Sequence, residues 1–507
     1  MLAVGLAAWL TPPLPYLDDA YIVAHSADVL RQGHDAAFGV PALVGITSPP
    51  YLLLVWGLQA IGLDALLSLR VATAAGLSAF LLAVWILLRR RGLRDWQAIG
   101  LLAVLLLSGQ TILGLTNGLE TGVATALSVW LIAATEERER WTVAILSGLI
   151  PCLRPDLLPL VGVAWLRATW GLPWSRRLGT VGVAALAAAP FVLWIRADTG
   201  EWWPQTLAAK RVFFAEGCQP LFERLTFAGS LIADWATTTV PVAVGVLLAL
   251  RSATGRWLVL ATLAILLAYA TTLPGGIAHN DSRYLTPLWL PLAVLGLSDA
   301  LVTLPHDRTL GSVATLGGIL LVAAGLRHPP VFAEWNQFAQ DVVSTAAWVD
   351  RETPADATLL VHDAGGLSVL AHRRLVDLVG LKSIGSIDAH AAYTWPSCGV
   401  QRAQAFAAIA ASANARYLVV VDEWERIFGL AQALARRGWT LTRLREHPAG
   451  TRGYDVYRLQ RTADASVPGR DAANTVAATV PGHNSSPSTS SSAAADTAAP
   501  RTNGNGR

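Results

Sequence analysis

The sequence predicts a polytopic α-helical membrane protein of about eleven spans, followed by a small α/β domain. Three observations predict it. Of 507 residues, 53% are hydrophobic and only 14% charged, with a mean hydropathy of +0.45; a soluble chain is nearer a quarter charged. The apolar residues come in long blocks, such as Val71 to Leu88, Ile99 to Leu107 and Val181 to Leu193. Blocks of this kind read as membrane spans, not as amphipathic stripes. After Arg327 the chain changes to short apolar runs separated by charges. The net charge of +3 is too small to imply a nucleic-acid partner.

The spans are placed in order at roughly twenty apolar residues per crossing. The first, residues 2–16, is interrupted by Pro12, Pro13 and Pro15. No basic run precedes it and no small-residue cleavage site follows, so a cleavable signal is not expected. It reads as a clipped first span, as a start codon assigned too far downstream would produce. A long loop, 17–69, carries two amphipathic pieces, Tyr21–Arg31 and Pro50–Ile61. Further spans are expected near 70–88, 97–115, 119–134, 141–153, 156–170, 179–196, 226–249, 257–273, 284–302 and 309–326.

This gives three regions: 1–326 embedded in the membrane, 327–461 folded as an α/β domain, and a tail over 462–507. Helices are expected at Asp341–Arg351 and Arg402–Ala415. Strands are expected at Thr358–His362, Arg374–Leu378 and Tyr417–Asp422, which are short apolar runs bounded by turn or charged residues. The tail is rich in Ser, Thr, Ala, Pro and Gly and cannot bury a core, so it is expected to be disordered.

Arginine placement sets the expected orientation. Arg89-Arg90-Arg91 with Arg94, Arg138 with Arg140, Arg176 with Arg177, and Arg251 with Arg256 fall on one side when the spans alternate. That side is expected to be cytoplasmic. Arg154, Lys210, Arg211 and Arg283 fall on the other side, among acidic and aromatic residues. Asp18-Asp19, Asn117 to Glu120, Arg154 to Asp156, Gly200 to Arg211 and His279 to Arg283 all converge on that outer face. The α/β domain follows on the same side.

Charge beside a bilayer is costly, so the pair Asp18 and Asp19 is the first candidate for chemistry. Its context is Leu17-Asp18-Asp19-Ala20-Tyr21-Ile22, followed by Gly33-His34 and Gly45-Ile46-Thr47-Ser48-Pro49-Pro50. Then come Asn117-Gly118-Leu119-Glu120-Thr121, Leu153-Arg154-Pro155-Asp156, Trp203-Pro204-Gln205-Thr206 through Lys210, and Arg283-Tyr284-Leu285-Thr286-Pro287. The C-terminal region adds His362-Asp363-Ala364-Gly365 and Val376-Asp377-Leu378-Val379-Gly380-Leu381. In this order, over residues 17–461, the chain resembles the GT-C superfamily of integral-membrane glycosyltransferases. Within it, the chain resembles the actinobacterial cell-envelope arabinofuranosyltransferases, of the terminal β-arabinofuranosyltransferase type.

The resemblance implies a bacterial plasma-membrane enzyme working on the outer face. It would transfer a sugar, arabinofuranose or mannose, with inversion, from a polyprenyl-phosphate donor to an envelope glycan or glycolipid. An acceptor hydroxyl must lose a proton as it attacks, so a carboxylate is needed within reach. Asp19 is favoured as base with Asp18 as its neighbour, and the choice between them stays open. An N-cap for the helix starting near Ala20 is the plain alternative. The leaving phosphate needs cationic or N–H donors, for which Lys210, Arg211, Arg283 and His279 are the candidates. A local ion pair between Arg283 and Asp281 is the competing reading. Glu120, Arg154, Asp156 and His34 would shape the acceptor site or brace the first loop.

A divalent cation (Mg²⁺, Mn²⁺ or Ca²⁺) would suit Asp18 and Asp19 given one more oxygen ligand. Cys218 and Cys398 both fall outside the cytoplasm in this threading, where a disulfide is permitted. A lipid flippase or transporter is the main rival function, and a glycan-binding membrane scaffold the second. The first predicts mid-span charges and internal repeats, which the sequence lacks; the second needs far fewer spans.

Overall fold

The computed structural model describes residues 2–106, 109–303, 335–448 and 450–462. The helical part begins with α1 (Leu2–Leu10), α2 (Asp18–Gln32), α3 (Pro49–Ala60) and α4 (Ala65–Arg90). It continues through α5 (Asp95–Leu106), α6 (Gly109–Leu115), α7 (Thr121–Glu136), α8 (Arg140–Leu153), α9 (Leu158–Thr169) and α10 (Trp174–Thr199). Then come α11 (Thr206–Phe214), α12 (Leu221–Thr238), α13 (Val240–Ala249), α14 (Ala253–Thr272), the one-turn α15 (His279–Ser282) and α16 (Thr286–Thr303).

Three of these helices, α4, α10 and α14, are long and apolar enough to cross a membrane, or five spans result if α5–α6 and α12–α13 each count as one. α7, α8 and α16 are apolar but shorter. The expected span 226–249 is broken, with α12 and α13 meeting at 107°. Thr239 leaves the helical region there, at φ −121° and ψ 42°, and Pro241 sits in the first turn of the next helix. The expected span 97–115 is likewise two helices, and the expected first span holds a helix of only 9 residues. Run length and hydropathy average over such breaks, so the sequence does not show them. The expected span 309–326 and the expected disordered tail lie outside the described residues.

Backbones touch where helices cross at glycine. Gly76 of α4 meets Gly122 and Val123 of α7, and a Cβ on Gly296 of α16 would stand 1.9 Å from Gly245 O of α13. Small residues permit such close approach. The two ends of α7 differ in charge. At its C-terminal end, Arg91 pairs with Glu136 and with Asp299 (2.5 Å), and Arg90 with Glu137 (3.0 Å). At its N-terminal end, about 24 Å away, Glu120 faces Arg154. Arg90 and Arg91 therefore sit at the end of α7 opposite to Glu120 and Arg154.

The α/β domain opens with α17, residues 335–352. Strands β1 (Thr358–Val361), β2 (Arg374–Asp377) and β3 (Tyr417–Val421) match the expected ones to within a residue. β4 (Trp439–Arg445) and β5 (Tyr454–Arg461) complete a sheet of order β2-β1-β3-β5-β4. The first three strands are parallel and the last two antiparallel. Short helices α18 (Gly366–Leu370), α19 (Ile384–Ala389), α20 (Arg402–Ser412), α21 (Asp422–Phe428) and α22 (Leu430–Ala435) lie between strands.

The two faces of the sheet follow its period of two. Leu359, Val361, Val419 and Val421 pack on Phe338, Val342, Ala346 and Val349 of α17. Leu360, Leu418 and Val420 share a second core with Phe406 and Ile409 of α20, and also with Ala20, Ile22 and Ala24 of α2, Leu43, Ile46 and Phe213. One apolar core thus runs from the sheet into the first loop of the helical part. The loop also covers the sheet edge, where Leu375 N–H of β2 donates to Ala37 O at 2.9 Å. Covering an edge in this way protects it from other strands.

Lys382, one of only two lysines, pins that junction from inside. It is fully buried, and its Nζ donates to Ser26 Oγ (3.0 Å) and Val44 O (2.9 Å), with Asp35 at 4.0 Å. Burial lowers its amine to about 8, against the pull of Asp35, Asp198 and Asp377. A folded pKa below the unfolded one means that the unfolded chain holds the extra proton between about 8 and 10.5. This group's contribution to stability therefore rises with pH across that window. Lys382→Ala is expected to cost about 1–3 kcal/mol by leaving Ser26 Oγ and Val44 O buried without their donor. The loss reads as a lowered melting temperature of the full chain in detergent, and an unchanged melting temperature contradicts it.

Candidate active site

α2 starts without a side-chain cap at Leu17, so its first turn is free to carry Asp18 and Asp19. Carboxylates are favoured there by the helix dipole. Neighbours on a helix point about 100° apart, and the two aspartates face different partners. Asp18 turns to the α/β domain, where Oδ2 accepts from Gly365 N–H and Oδ1 from Gly366 N–H, both at 2.6 Å. The approach needs glycine, because a Cβ on Gly365 would stand 1.9 Å from Asp18 O. Burial and the nearby Asp363 carboxylate hold the Asp18 carboxyl well above the usual carboxylate range, even against these two N–H donors.

Asp19 turns to the helical part. Its Oδ2 accepts from Arg283 Nη2 at 2.6 Å and lies 3.9 Å from Lys210 Nζ. Burial pushes its carboxyl up, but the Arg283 and Lys210 cations outweigh that and hold it below the usual range. Burial, together with Lys210 and Arg283, pushes His279 well below its ordinary value, so its ring is neutral at pH 7. The adjacent aspartates are thus pushed in opposite directions by different surroundings.

Tyr284 organises the cations. Its hydroxyl accepts from Lys210 Nζ (2.8 Å) and Arg283 Nη2 (3.0 Å), and its ring lies near-parallel to those of Tyr269 and His279, each at 5.7 Å. Arg154, only 2% exposed, lies 4.6 Å from the Tyr284 ring centre. Arg154 also forks onto Asp156 (3.0 and 2.6 Å), with Glu120 at 3.7 Å. Asp156 in turn accepts from Tyr269 at 2.9 Å. Glu120, Arg154 and Asp156 therefore stand behind Tyr284 and Arg283 as an ion-paired brace. Arg283 is buried, and its Nε and Nη1 have no hydrogen-bond partner among the described residues.

Lys210 comes from α11, which is fixed to the first loop by Thr47 Oγ1 and Thr206 Oγ1 at 2.9 Å. Arg211, next on that helix, points elsewhere and stacks over Trp395 at 4.7 Å. His34 is exposed, and its ring meets Gln32 O at 3.4 Å. Arg211 and His34 thus stand outside the cluster, whereas Asp18, Asp19, Lys210 and His279 line one cleft and Arg283 adjoins it through Asp19. The opposite wall of the cleft comes from the α/β domain, with Phe338, His362, Asp363, Trp424 and Arg452. The cleft holds about 610 Å³ including its open mouth.

Tyr284, Trp424 and Arg452 are site residues that sequence reasoning did not single out. Only Tyr284 carried a signal, as the neighbour of Arg283. Cys218 and Cys398 are free thiols, and Cys218 Sγ donates to Trp395 O at 3.2 Å. The carboxylates as arranged do not fit a divalent cation, because both Asp18 oxygens take backbone N–H groups and Asp19 takes Arg283. Among the described residues no group of three His, Cys, Asp or Glu is placed to hold one.

A family model described as a domain of unknown function, DUF8728, matches residues 332–461, which is the α/β domain. No curated protein matches the chain. Among solved structures, the crystal structure of ArnT from Cupriavidus metallidurans in the apo state is similar at 15% identity and TM-score 0.51. The match covers 90% of this chain and 96% of that one. The arabinofuranosyltransferase AftD from Mycobacteria matches at 16% identity and TM-score 0.47, covering 92% of this chain but 40% of AftD. This chain therefore spans about two fifths of AftD. The Archaeoglobus fulgidus oligosaccharyltransferase matches at 15% identity and TM-score 0.45, over 89% of this chain and 72% of that one. The likeness to ArnT shows a shared fold over nearly the whole of both chains.

Gly365→Ala tests how tightly the two walls are joined. Overpacking at this contact is expected to cost about 1–3 kcal/mol and to displace Asp18. The measurement is thermal unfolding of the full chain in detergent, and a melting temperature equal to that of the wild type contradicts the contact.

Proposed function

We propose that the protein is a membrane glycosyltransferase that uses a polyprenyl-phosphate sugar donor and works on the outer face of a bacterial plasma membrane. The acceptor is a cell-envelope glycan or glycolipid, and the sugar is arabinofuranose or mannose. The observation that carries this reading is the placement of one carboxylate, Asp19, against two convergent cations, Lys210 and Arg283, at a cleft of a GT-C fold.

The chemistry divides among these groups. Arg283 has two unpartnered N–H atoms and Lys210 is a compact charge, so both suit the donor phosphate. Once a phosphate engages them, Asp19 loses its counter-ions and its basicity rises. The acceptor hydroxyl then gives its proton to Asp19 as its oxygen attacks the anomeric carbon. The bond from that carbon to the phosphate oxygen breaks, and the polyprenyl phosphate leaves with its charge held by Lys210 and Arg283. A single displacement inverts the anomeric centre. Asp18, tied to two N–H groups, serves to hold α2 rather than to accept a proton. The lipid tail needs an apolar surface open to the bilayer. Leu207 on the Lys210 helix (71% exposed) and Phe222 at the start of α12 (79% exposed) supply apolar surface of that kind.

The test is purified protein in lipid vesicles with a polyprenyl-phosphate arabinofuranose or mannose donor, with products read by mass spectrometry. A new glycosidic bond is expected, whereas a flippase only moves lipid and a scaffold does neither. Asp19→Asn should lower transfer by about 100- to 10,000-fold. Lys210→Met should lower kcat/KM for the donor by about 100-fold. Full activity in Asp19→Asn overturns the mechanism, and lipid movement without bond formation overturns the function.

A further inference from the structure

The two walls of the cleft differ in chemistry. The helical wall gathers the cations, whereas the α/β wall carries an indole, an imidazole, a guanidinium and the Asp363 carboxylate. His362 follows β1 and is 5% exposed. Its Nδ1 lies 3.1 Å from Asp363 Oδ1, while Asp363 Oδ2 accepts from the Tyr454 hydroxyl at 2.9 Å. With both oxygens accepting, the carboxylate fixes the imidazole proton on Nδ1, a tautomer assigned from this network. Nε2 is then an acceptor, and it has no partner among the described residues.

The His362 ring stacks on Trp424 at 4.3 Å, and Phe428 lies near-parallel to Trp424 at 5.6 Å. Trp424 is half-buried and lines the cleft. Arg452 is held by Glu423 (2.9 Å) and sits over Phe338 at 4.5 Å, and its Nε also lacks a partner. A buried polar atom left unpaired is costly, and these two belong to residues that line the cleft, where a ligand can pair them. The Asp18 and Asp363 carboxylates disfavour an anion on this wall. A sugar ring offers what the wall asks for, namely an apolar C–H face for the indole and hydroxyls that both donate and accept.

We propose that Trp424, His362 and Arg452 form a subsite for a neutral saccharide, the acceptor glycan of the transfer reaction. The ring lies on the Trp424 face, one hydroxyl donates to His362 Nε2, and another accepts from Arg452. Asp363 is the positioning residue that holds the imidazole. The ligand's role as acceptor rests on the transferase reading, whereas its binding does not.

The experiment is saturation-transfer NMR on the full chain in detergent, titrated with a linear arabinofuranosyl hexasaccharide and with mannohexaose. At least one is expected to bind the wild type. Its Kd should rise tenfold or more in Trp424→Ala and in His362→Gln, and stay within threefold in Trp424→Phe. The Phe variant and a melting curve for each protein separate lost binding from lost folding. Binding of neither saccharide, or equal binding in Trp424→Ala and His362→Gln, overturns the subsite. Saccharide binding that depends on Trp424 in a protein that forms no glycosidic bond sinks the transferase reading and leaves the subsite standing. Asp19-dependent transfer with Trp424-independent binding does the reverse.

Discussion

The structure turns on the carboxylate of Asp18. Its two oxygens accept the adjacent N–H groups of Gly365 and Gly366, which ties the first helix after the N-terminal segment to the α/β domain. This contact closes the far side of the cleft. It also sets the rotation of α2, and with it the direction in which Asp19 points. Each oxygen takes its own N–H donor at 2.6 Å, and here glycine is required for the approach. The shared core of Leu360, Leu418 and Val420 with Ala20 and Ile22 makes the junction wide, and Lys382 locks it from within.

Around that anchor the charges sort themselves by wall. Helix geometry separates neighbours twice: Asp18 from Asp19 on α2, and Lys210 from Arg211 on α11. In each pair one residue enters the cationic cluster and the other serves a contact outside it. Behind the cations, Tyr284 takes both donors on one hydroxyl, while Arg154 pairs with Asp156 and Glu120 at its back. Burying so many charges is tolerable only because they are paired. The two unpartnered N–H atoms of Arg283 are the capacity left over for a ligand.

Much of this was legible in the sequence. The parallel strands read correctly because each is a short apolar run between turn and charged residues, and the loop helices because their amphipathic period is clear. The convergence of Asp19, Lys210, His279 and Arg283 followed from threading arginine-flanked spans. The breaks in the expected spans at 97–115 and 226–249 were not legible, because apolar residues continue across them. Nor were β4 and β5, whose half-exposed faces mix Arg and Thr with apolar residues. Trp424 and Arg452 belong to no motif and reach the cleft only through the sheet topology. The separate tasks of Asp18 and Asp19 needed coordinates, since the deciding partners are 347 and 264 residues away.

The central claim is that adjacent carboxylates do different work, Asp18 as clamp and Asp19 as chemistry. Amide hydrogen exchange over residues 362–370 of the full chain tests it most directly. The account predicts that Asp18→Asn speeds exchange at Gly365 and Gly366, whereas Asp19→Asn leaves both as protected as in the wild type. Unchanged protection in Asp18→Asn, or equal loss of protection in the two variants, would contradict it.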